Sequence, residues 1–95
     1  MRIEFDPNKS ERNRLERNLP FELVEFMRWD SAIIVPDTRF DYPEPRYTAT
    51  GFLGETDRLH IVCFTPAKNG GIRVISFRKA NKREIKKYET TRTFD

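Results

Sequence analysis

The segment RLHIVCFT, residues 58–65, constrains the fold more than any other part of the chain. It is an almost unbroken apolar run, and such runs are typical of a β-strand that is buried on both faces. A chain of 95 residues has room for one modest core and no second fold. The sequence therefore predicts one domain over residues 1–95, with residues 90–95 expected to fray.

Three further segments have the composition of strands and are separated by turns. They are AIIVP at residues 32–36, RYTATGFL at residues 46–53 and IRVISFRK at residues 72–79. In the second of these, Arg46 shares a face with Thr48, and Ala49 lies on the other face. Asn69-Gly70 is the strongest hairpin signal between strands. These segments predict a four-stranded antiparallel sheet made of consecutive hairpins.

A first helix is predicted directly after a short strand at RIEF, residues 2–5. Asp6 can accept hydrogen bonds from the first backbone N–H groups, and Pro7 is tolerated at the first helical position. Asn18 can adopt the left-handed conformation that ends a helix. The helix is polar almost all round, and Leu15 is expected to be its main anchor.

Two more helices complete the prediction. The segment PFELVEFMRW carries an apolar stripe at Phe21, Val24 and Met27, which predicts a helix that covers the sheet. Near the end of the chain, Asn81 and Glu84 fit a capping box that starts a terminal helix. The predicted fold class is α+β: a four-stranded antiparallel sheet with a short N-terminal strand, two N-terminal helices and a short C-terminal helix.

Charge is distributed unequally along the chain. Residues 1–45 carry seven basic and ten acidic side chains, whereas residues 46–95 carry eleven basic and five acidic ones, so the balances are −3 and +6. Residues 72–89, where the last strand joins the last helix, hold seven basic and two acidic side chains. This pattern favours a polyanionic partner for the second half, and a solvated basic face without a ligand is the alternative.

Cysteine content and hydropathy indicate the compartment. Cys63 is the only cysteine, so no internal disulfide is possible and a reducing environment is expected. No apolar run is long enough to span a membrane, and no charged-then-apolar leader is present. We expect a cytoplasmic protein with no membrane partner.

Three segments together match a known family pattern. They are FDPNKSERN, PDTRFDYPEPRYTATG and IRVISFRKANKREIKKYE. The last fits R-x-I-S-x-R-x-A-x-x-x-E-x-x-x-Y from Arg73 to Tyr88 and is the most specific. The chain therefore resembles the BrnT family of toxins from bacterial type II toxin–antitoxin systems, from about Phe5 to Glu89.

This resemblance implies a RelE-like fold and a single BrnT-like toxin domain. It also implies a ribonuclease that stops translation by RNA cleavage. The expected partners are RNA and a BrnA-like ribbon-helix-helix antitoxin, in a heterotetramer that binds operator DNA through the antitoxin. Where many relatives have histidines, this chain has Arg17 and Phe40, so it departs from the family at two positions.

RNA cleavage without a metal needs a base for the 2′-hydroxyl proton, an acid for the leaving 5′-oxygen and cations for the phosphate charge. The scattered carboxylates, with one histidine and one cysteine, give no metal-ligand spacing, so no cofactor is expected. His60 lies inside the most apolar strand and is interpreted as structural. The predicted catalytic residues are Arg46, Arg73, Arg78, Lys79 and Glu84.

Several of these assignments have alternatives. Glu84 is a candidate general base, and its other role is the capping box. Tyr88 is a candidate for stacking on a base, and its other role is to pack inward with Ile85. The predicted RNA-binding residues are Lys82, Arg83, Lys86 and Tyr88.

The two strand arginines raise a geometric question. Along a regular strand, Arg73 and Arg78 point to opposite faces. They can serve one site only if Arg78 lies past the strand end, which is the interpretation that we favour from the sequence.

Three functions are consistent with these observations. The first is a metal-independent endoribonuclease toxin. The second is a nucleic-acid-binding module without catalysis, such as an inactive toxin that acts as the antitoxin-bound partner in repression. The third is a protein-interaction domain whose basic face binds an acidic antitoxin segment.

Overall fold

The computed structural model describes residues 1–68 and 70–93. The strands are β1 Ile3–Glu4, β2 Ile33–Pro36, β3 Tyr47–Phe52, β4 Leu59–Pro66 and β5 Ile72–Lys79. The α-helices are α1 Pro7–Arg17 and α2 Lys82–Thr93, and short 3₁₀ helices lie at Phe21–Phe26 and Trp29–Ser31. The strands form one sheet in the order β1-β5-β4-β3-β2. The predicted α+β class is confirmed.

The sheet is mixed rather than purely antiparallel. Strands β2 to β5 are consecutive antiparallel neighbours, as predicted. However, β1 pairs in parallel with β5, with Ile3 opposite Ile72 and Glu4 opposite Arg73. A tight hairpin makes neighbouring strands antiparallel. Because β1 reaches the β5 edge from the far end of the chain, no hairpin fixes its direction.

Helix α1 begins and ends as predicted, but its anchor is polar. Asp6 accepts a hydrogen bond of 2.9 Å from the Asn8 N–H, and Asn18 ends the helix with φ of 58°. Leu15 is 71% exposed, so its predicted role as anchor was wrong. Instead, the buried amide of Asn13 donates to the backbone carbonyl of Phe77 at 2.9 Å, which ties the helix to β5.

The second predicted helix is a 3₁₀ helix. Phe21, Val24 and Met27 are all buried, as expected from the apolar stripe. Their spacing of three residues is the repeat of a 3₁₀ helix rather than of an α-helix. The helix ends at Phe26, and Met27 already forms a bridge with Leu53. The prediction of an α-helix here was therefore wrong, although the predicted buried face is correct.

Strand β4 is covered on both faces, as the apolar run at residues 58–65 predicted. On one face, Val62 and Phe64 join the main core with the 3₁₀ helix. On the other, Leu59 and Ile61 pack with Tyr88 of α2. We call this second side of the sheet the α2 face.

Two predictions extend outside the described residues. The turn between β4 and β5 contains Asn69, which lies outside them, and Gly70 beside it has φ of 91°. Helix α2 extends to Thr93, within the segment expected to fray, and residues 94–95 lie outside the described part. Within residues 1–68 and 70–93, none of the helices combines the length and the apolar character that crossing a bilayer requires.

Candidate active site

A β-bulge in β5 decides which of its side chains share a face. The pairing register shifts between Cys63 and Phe64 of β4, which lie opposite Ser76 and Val74. Ile75 is therefore an extra residue, and it reverses the alternation of side chains along the rest of the strand.

Because of this bulge, Arg73 and Arg78 both belong to the α2 face. Arg73 lies opposite Thr65 and Arg78 lies opposite Ile61 on β4. Thr65 and Ile61 are separated by an even number of residues, and cross-strand partners share a face. Arg78 lies within β5, so the interpretation that it lies past the strand end was wrong. The two arginines share a face for a different reason, which is the bulge.

Arg46 joins the same face just before β3 begins. It lies one residue beyond the last pair of β3 and β4, beside Thr65, whose hydroxyl donates a hydrogen bond of 2.6 Å to the Pro45 carbonyl. On its other side, the Arg46 carbonyl accepts a hydrogen bond of 2.8 Å from the Asp37 N–H. Asp37, Arg46, Thr65 and Arg73 thus form one row across the sheet.

Asp37 holds a further arginine over this row. Its carboxylate accepts two hydrogen bonds from the Arg39 guanidinium, at 2.9 and 2.8 Å. These bonds hold the pKa of Asp37 well below its usual range and raise the pKa of Arg39. The Asp37 side chain is 2% exposed and that of Arg39 is 71% exposed. The buried carboxylate therefore positions an accessible guanidinium.

An aromatic cluster supports the loop between β2 and β3. The Tyr42 hydroxyl donates to Asp37 at 3.2 Å, and the Arg46 guanidinium lies 4.1 Å from the centre of the Tyr42 ring. Phe40 packs edge-on against Tyr42 and is itself 70% exposed. Among the described residues, the buried Arg46 Nε has no hydrogen-bond partner.

At the other end of β5, Arg78 forms a bidentate ion pair with Glu84, with two hydrogen bonds of 2.8 Å. Glu84 also forms the predicted capping box: its carboxylate accepts from the Asn81 N–H, and the Asn81 side chain accepts from the Glu84 N–H. The ion pair lowers the pKa of Glu84 and raises that of Arg78. The positive charge of Arg39 opposes the rise in the pKa of Arg78, so Arg39 and Arg78 interact electrostatically across the α2 face.

Comparison with known families gives this arrangement a context. Residues 5–84 match the model of a family described as the ribonuclease toxin BrnT of type II toxin–antitoxin systems. The chain belongs to the BrnT family. A crystal structure of the ribonuclease toxin BrnT from Brucella abortus is similar to this fold, with a TM-score of 0.66 and 27% sequence identity over 86% of this chain and 99% of that one. A search of curated proteins gave no match.

The predicted site residues of this BrnT-family chain divide into two groups. The structure brings Arg46, Arg73, Arg78 and Glu84 to the α2 face. Lys79 lies opposite His60 and belongs to the other face. It is exposed there beside the end of α1.

The predicted RNA-binding residues lie on α2. Lys82, Arg83 and Lys86 are exposed to solvent. Tyr88 is buried, and its hydroxyl donates to the Ser31 carbonyl at 3.0 Å. The ring therefore packs inward, which is the alternative role considered for it from the sequence.

His60 lies outside this site. It is buried on the opposite face, with its ring 5.6 Å from that of Phe77 and its Nδ1 donating to the Arg58 carbonyl at 2.9 Å. Burial lowers its pKa. The structural interpretation of His60 is consistent with this position.

The sequence-based list of candidate site residues missed Arg39. Its position two residues after Asp37, in a loop with the Phe40 and Tyr42 rings, was visible in the sequence, but neither the burial of Asp37 nor the link to the basic strand was. Arg39 joins the site because the pairing of β2 with β3 places Asp37, which binds Arg39, beside Arg46. A local sequence pattern does not contain that contact.

Four guanidinium groups on one face can bind phosphate, because each presents a planar fork of donors. They are those of Arg39, Arg46, Arg73 and Arg78. In the part of the chain that the structure describes, no three His, Cys, Asp or Glu side chains lie close enough together to hold a metal ion. The arginines can bind phosphate, and the Glu84 carboxylate beside Arg78 can accept a proton.

Proposed function

We propose that this protein is a metal-independent endoribonuclease that arrests translation by cleaving RNA. The observation that carries the proposal is the convergence of four arginines on the α2 face, two from β5 and two from the loop between β2 and β3. Membership of a family of ribonuclease toxins supports the same reading. The RelE-like classification of the fold is part of the proposal.

The arginines bind the RNA backbone at two places. Arg73 and Arg78 lie opposite Thr65 and Ile61, which are roughly 13 Å apart along β4 at about 3.3 Å per residue. Each guanidinium has its own carboxylate partner, Glu4 or Glu84, so we assign the two arginines to different phosphates. Arg46 shares a row with Arg73 at one end. Arg39 is held by Asp37, beside Arg46 in the same row. The scissile phosphate lies nearest Arg78, because its partner Glu84 is fixed both by the bidentate pair and by the capping box.

Glu84 is the proposed proton acceptor for the 2′-hydroxyl, whose oxygen attacks the adjacent phosphorus as the P–O5′ bond breaks; solvent water supplies the proton for the leaving 5′-oxygen. Its side chain is 28% exposed, whereas that of Asp37 is almost fully buried. Two other carboxylates lie beside site arginines, Glu4 at 3.6 Å from Arg73 and Glu44 at 3.4 Å from Arg46, but only Glu84 is held by a bidentate pair at 2.8 Å. Pairing with Arg78 lowers the pKa of Glu84, so it is ionised at neutral pH and is a weak base. Stabilisation of the phosphate charge by the arginines therefore supplies most of the rate enhancement.

The remaining predicted residues have supporting roles. Lys82, Arg83 and Lys86 form a positive rim along α2 that attracts RNA at long range. Lys79 is the least supported of the predicted catalytic residues, since it belongs to the opposite face.

The proposed protein partner is a BrnA-like antitoxin with a ribbon-helix-helix domain. The two proteins form a heterotetramer that binds operator DNA through the antitoxin. Family membership supports an antitoxin partner. An acidic antitoxin segment placed over the four arginines would block RNA. The proposed site of action is the cytoplasm, because translation takes place there.

One observation favours a second candidate function, a non-catalytic partner in repression. Arg17 and Phe40 stand where many relatives have histidines, and His60 lies on the opposite face. The α2 face of the described structure therefore has no imidazole. An inactive toxin would still bind its antitoxin and, through it, the operator.

Expression in a bacterium tests the proposal against this alternative. The protein alone should arrest growth, and the antitoxin encoded beside it should restore growth. The purified protein should cleave RNA equally well with and without EDTA. Unaffected growth with a soluble, folded product, together with intact RNA, would instead support the repression partner.

A further inference from the structure

A groove separates α2 from the sheet on the α2 face. It has a volume of about 160 Å³. Side chains of β2, β3 and β4 form its floor, and α2 forms one wall. They are Ile33, Val35, Thr48, Thr50, Ile61, Glu84, Lys87, Tyr88 and Thr91. Apolar atoms form most of the groove surface, although five of the nine residues are polar or charged, and the Thr48 and Thr50 hydroxyls lie on its floor.

These threonine hydroxyls are available to a ligand. Thr48 and Thr50 are both only partly buried. Within the described structure, neither hydroxyl takes part in a hydrogen bond. A hydroxyl both donates and accepts, so the pair can read the polar edge of a ring that lies between apolar walls.

The groove is continuous with the arginine site. Glu84, which lines the groove, is the residue that pairs with Arg78. Thr48 lies opposite Cys63, and the Cys63 thiol lies 3.9 Å from the Asp37 carboxylate that holds Arg39. A group bound in the groove therefore lies between the two ends of the arginine site.

The volume of the groove and the charges beside it indicate what kind of ligand it binds. The volume is well below the roughly 300–1,000 Å³ of sites for drug-sized ligands, so the groove suits a single planar ring. A groove whose surface is mostly apolar, beside a row of cations, matches a nucleotide, which carries a flat base next to an anionic backbone.

We propose that this groove binds one nucleobase of the RNA, next to the phosphates held by the arginines. The inference rests on the proposed RNA substrate and adds a base-binding subsite to it. The Ile61 and Val35 side chains, from the strands on either side of β3, contact the two faces of the ring. The Thr48 and Thr50 hydroxyls bond to its edge and make the site selective among bases.

The test compares binding of a 2′-O-methyl RNA, which cannot be cleaved, with that of an abasic 2′-O-methyl strand of the same length. The wild-type protein should bind the RNA about 10- to 100-fold more tightly, since stacking of a base has that order of effect. Val35→Phe fills the groove from its exposed edge. It should reduce this ratio about tenfold and leave affinity for the abasic strand unchanged.

Two more variants complete the test. Ile34→Phe is the matched control, because Ile34 is equally exposed on β2 but belongs to the opposite face; it should leave the ratio unchanged. Thr50→Val keeps the shape and removes a hydroxyl. It should reduce the difference in affinity among homopolymers of the four bases, with an unchanged melting temperature.

Distinct results would overturn the inference. If the wild type binds both strands equally, the RNA proposal stands but the base subsite does not exist. If it binds neither strand, the proposed function fails as well. If Val35→Phe spares the ratio but abolishes pairing with the antitoxin, the groove is a protein-docking site and the inference is wrong.

Discussion

Arg78 and Glu84 are joined by two parallel hydrogen bonds of 2.8 Å, and the same carboxylate accepts the Asn81 N–H that begins α2. One glutamate thus connects a guanidinium in the last strand to the start of the last helix. The positive charge at this junction is therefore held in a fixed position, although most of the basic side chains around it are exposed.

Replacement of Arg78 by Ala should reduce RNA cleavage by about 100-fold or more, because one donor to the transition-state charge is lost. Stability should fall by less than about 1 kcal/mol, since the ion pair is largely solvent-screened. Arg78→Lys should restore little activity, because lysine lacks the planar fork. Cleavage rates and melting temperatures of the purified variants measure both effects.

Arg14→Ala is the matched control, since Arg14 is also an arginine paired with a glutamate, on the exposed surface of α1. It should change neither the cleavage rate nor the melting temperature appreciably. Full activity of Arg78→Ala would move the phosphate site toward Arg46 and Arg73.

Replacement of Glu84 by Gln separates proton transfer from phosphate binding. Glutamine preserves the capping box, so α2 should still begin at the same place. Loss of the proton acceptor should slow cleavage by about 100-fold. RNA affinity should be unchanged or stronger, because the Arg78 fork is released. Binding and single-turnover cleavage are measured on the same variant. Undiminished cleavage would assign Glu84 to the positioning of Arg78 alone.

Stability should fall in acid. The pKa values of Asp37 and Glu84 are lowered in the folded protein by their arginine partners, so the unfolded chain binds more protons as the pH falls. Their contribution is present above about pH 5 and is lost progressively below about pH 4. Urea unfolding at pH 6 and pH 3 measures this loss. Asp37→Asn should be less stable at pH 6 and should show a smaller loss between the two pH values.

Gly71→Ala should detach the first strand. Gly71 has a φ of 77°, and an added Cβ would collide with the backbone oxygen of Arg2. We expect a loss of more than about 2 kcal/mol, since the left-handed conformation alone costs roughly 1–2 kcal/mol. Gly54→Ala has a similar φ and open space around the Cβ, so only the conformational cost should remain. Equal losses in both variants, measured by urea unfolding, would contradict the steric explanation.

Asn13→Ala should destabilise the protein by about 1–3 kcal/mol, because the buried carbonyls of Leu19 and Phe77 lose their donor. Leu15→Ala, two residues away on the same helix, should change stability by no more than about 0.5 kcal/mol because Leu15 is exposed. Chemical unfolding of the pair compares them directly. A larger effect at Leu15 would show that α1 packs through its apolar residue after all.

Some features were determined by the sequence alone, because they depend on residues near one another in the chain. The apolar run of β4 predicted its burial on both faces, and the hairpin turns predicted that β2 to β5 are consecutive neighbours in the sheet. The caps at Asp6, Asn18 and Asn81 were also predicted correctly. Each of these needs only a short hydrogen bond or the repeat of one segment.

The features that assemble the site were decided only by the tertiary structure. The bulge at Ile75 reverses the face of Arg78, and it exists only because two strands pair in a particular register. Arg39 reaches the site because the β2–β3 pairing buries Asp37 beside Arg46. The repeat along one strand contains no information about the register of its neighbour, which is set by how the whole core packs.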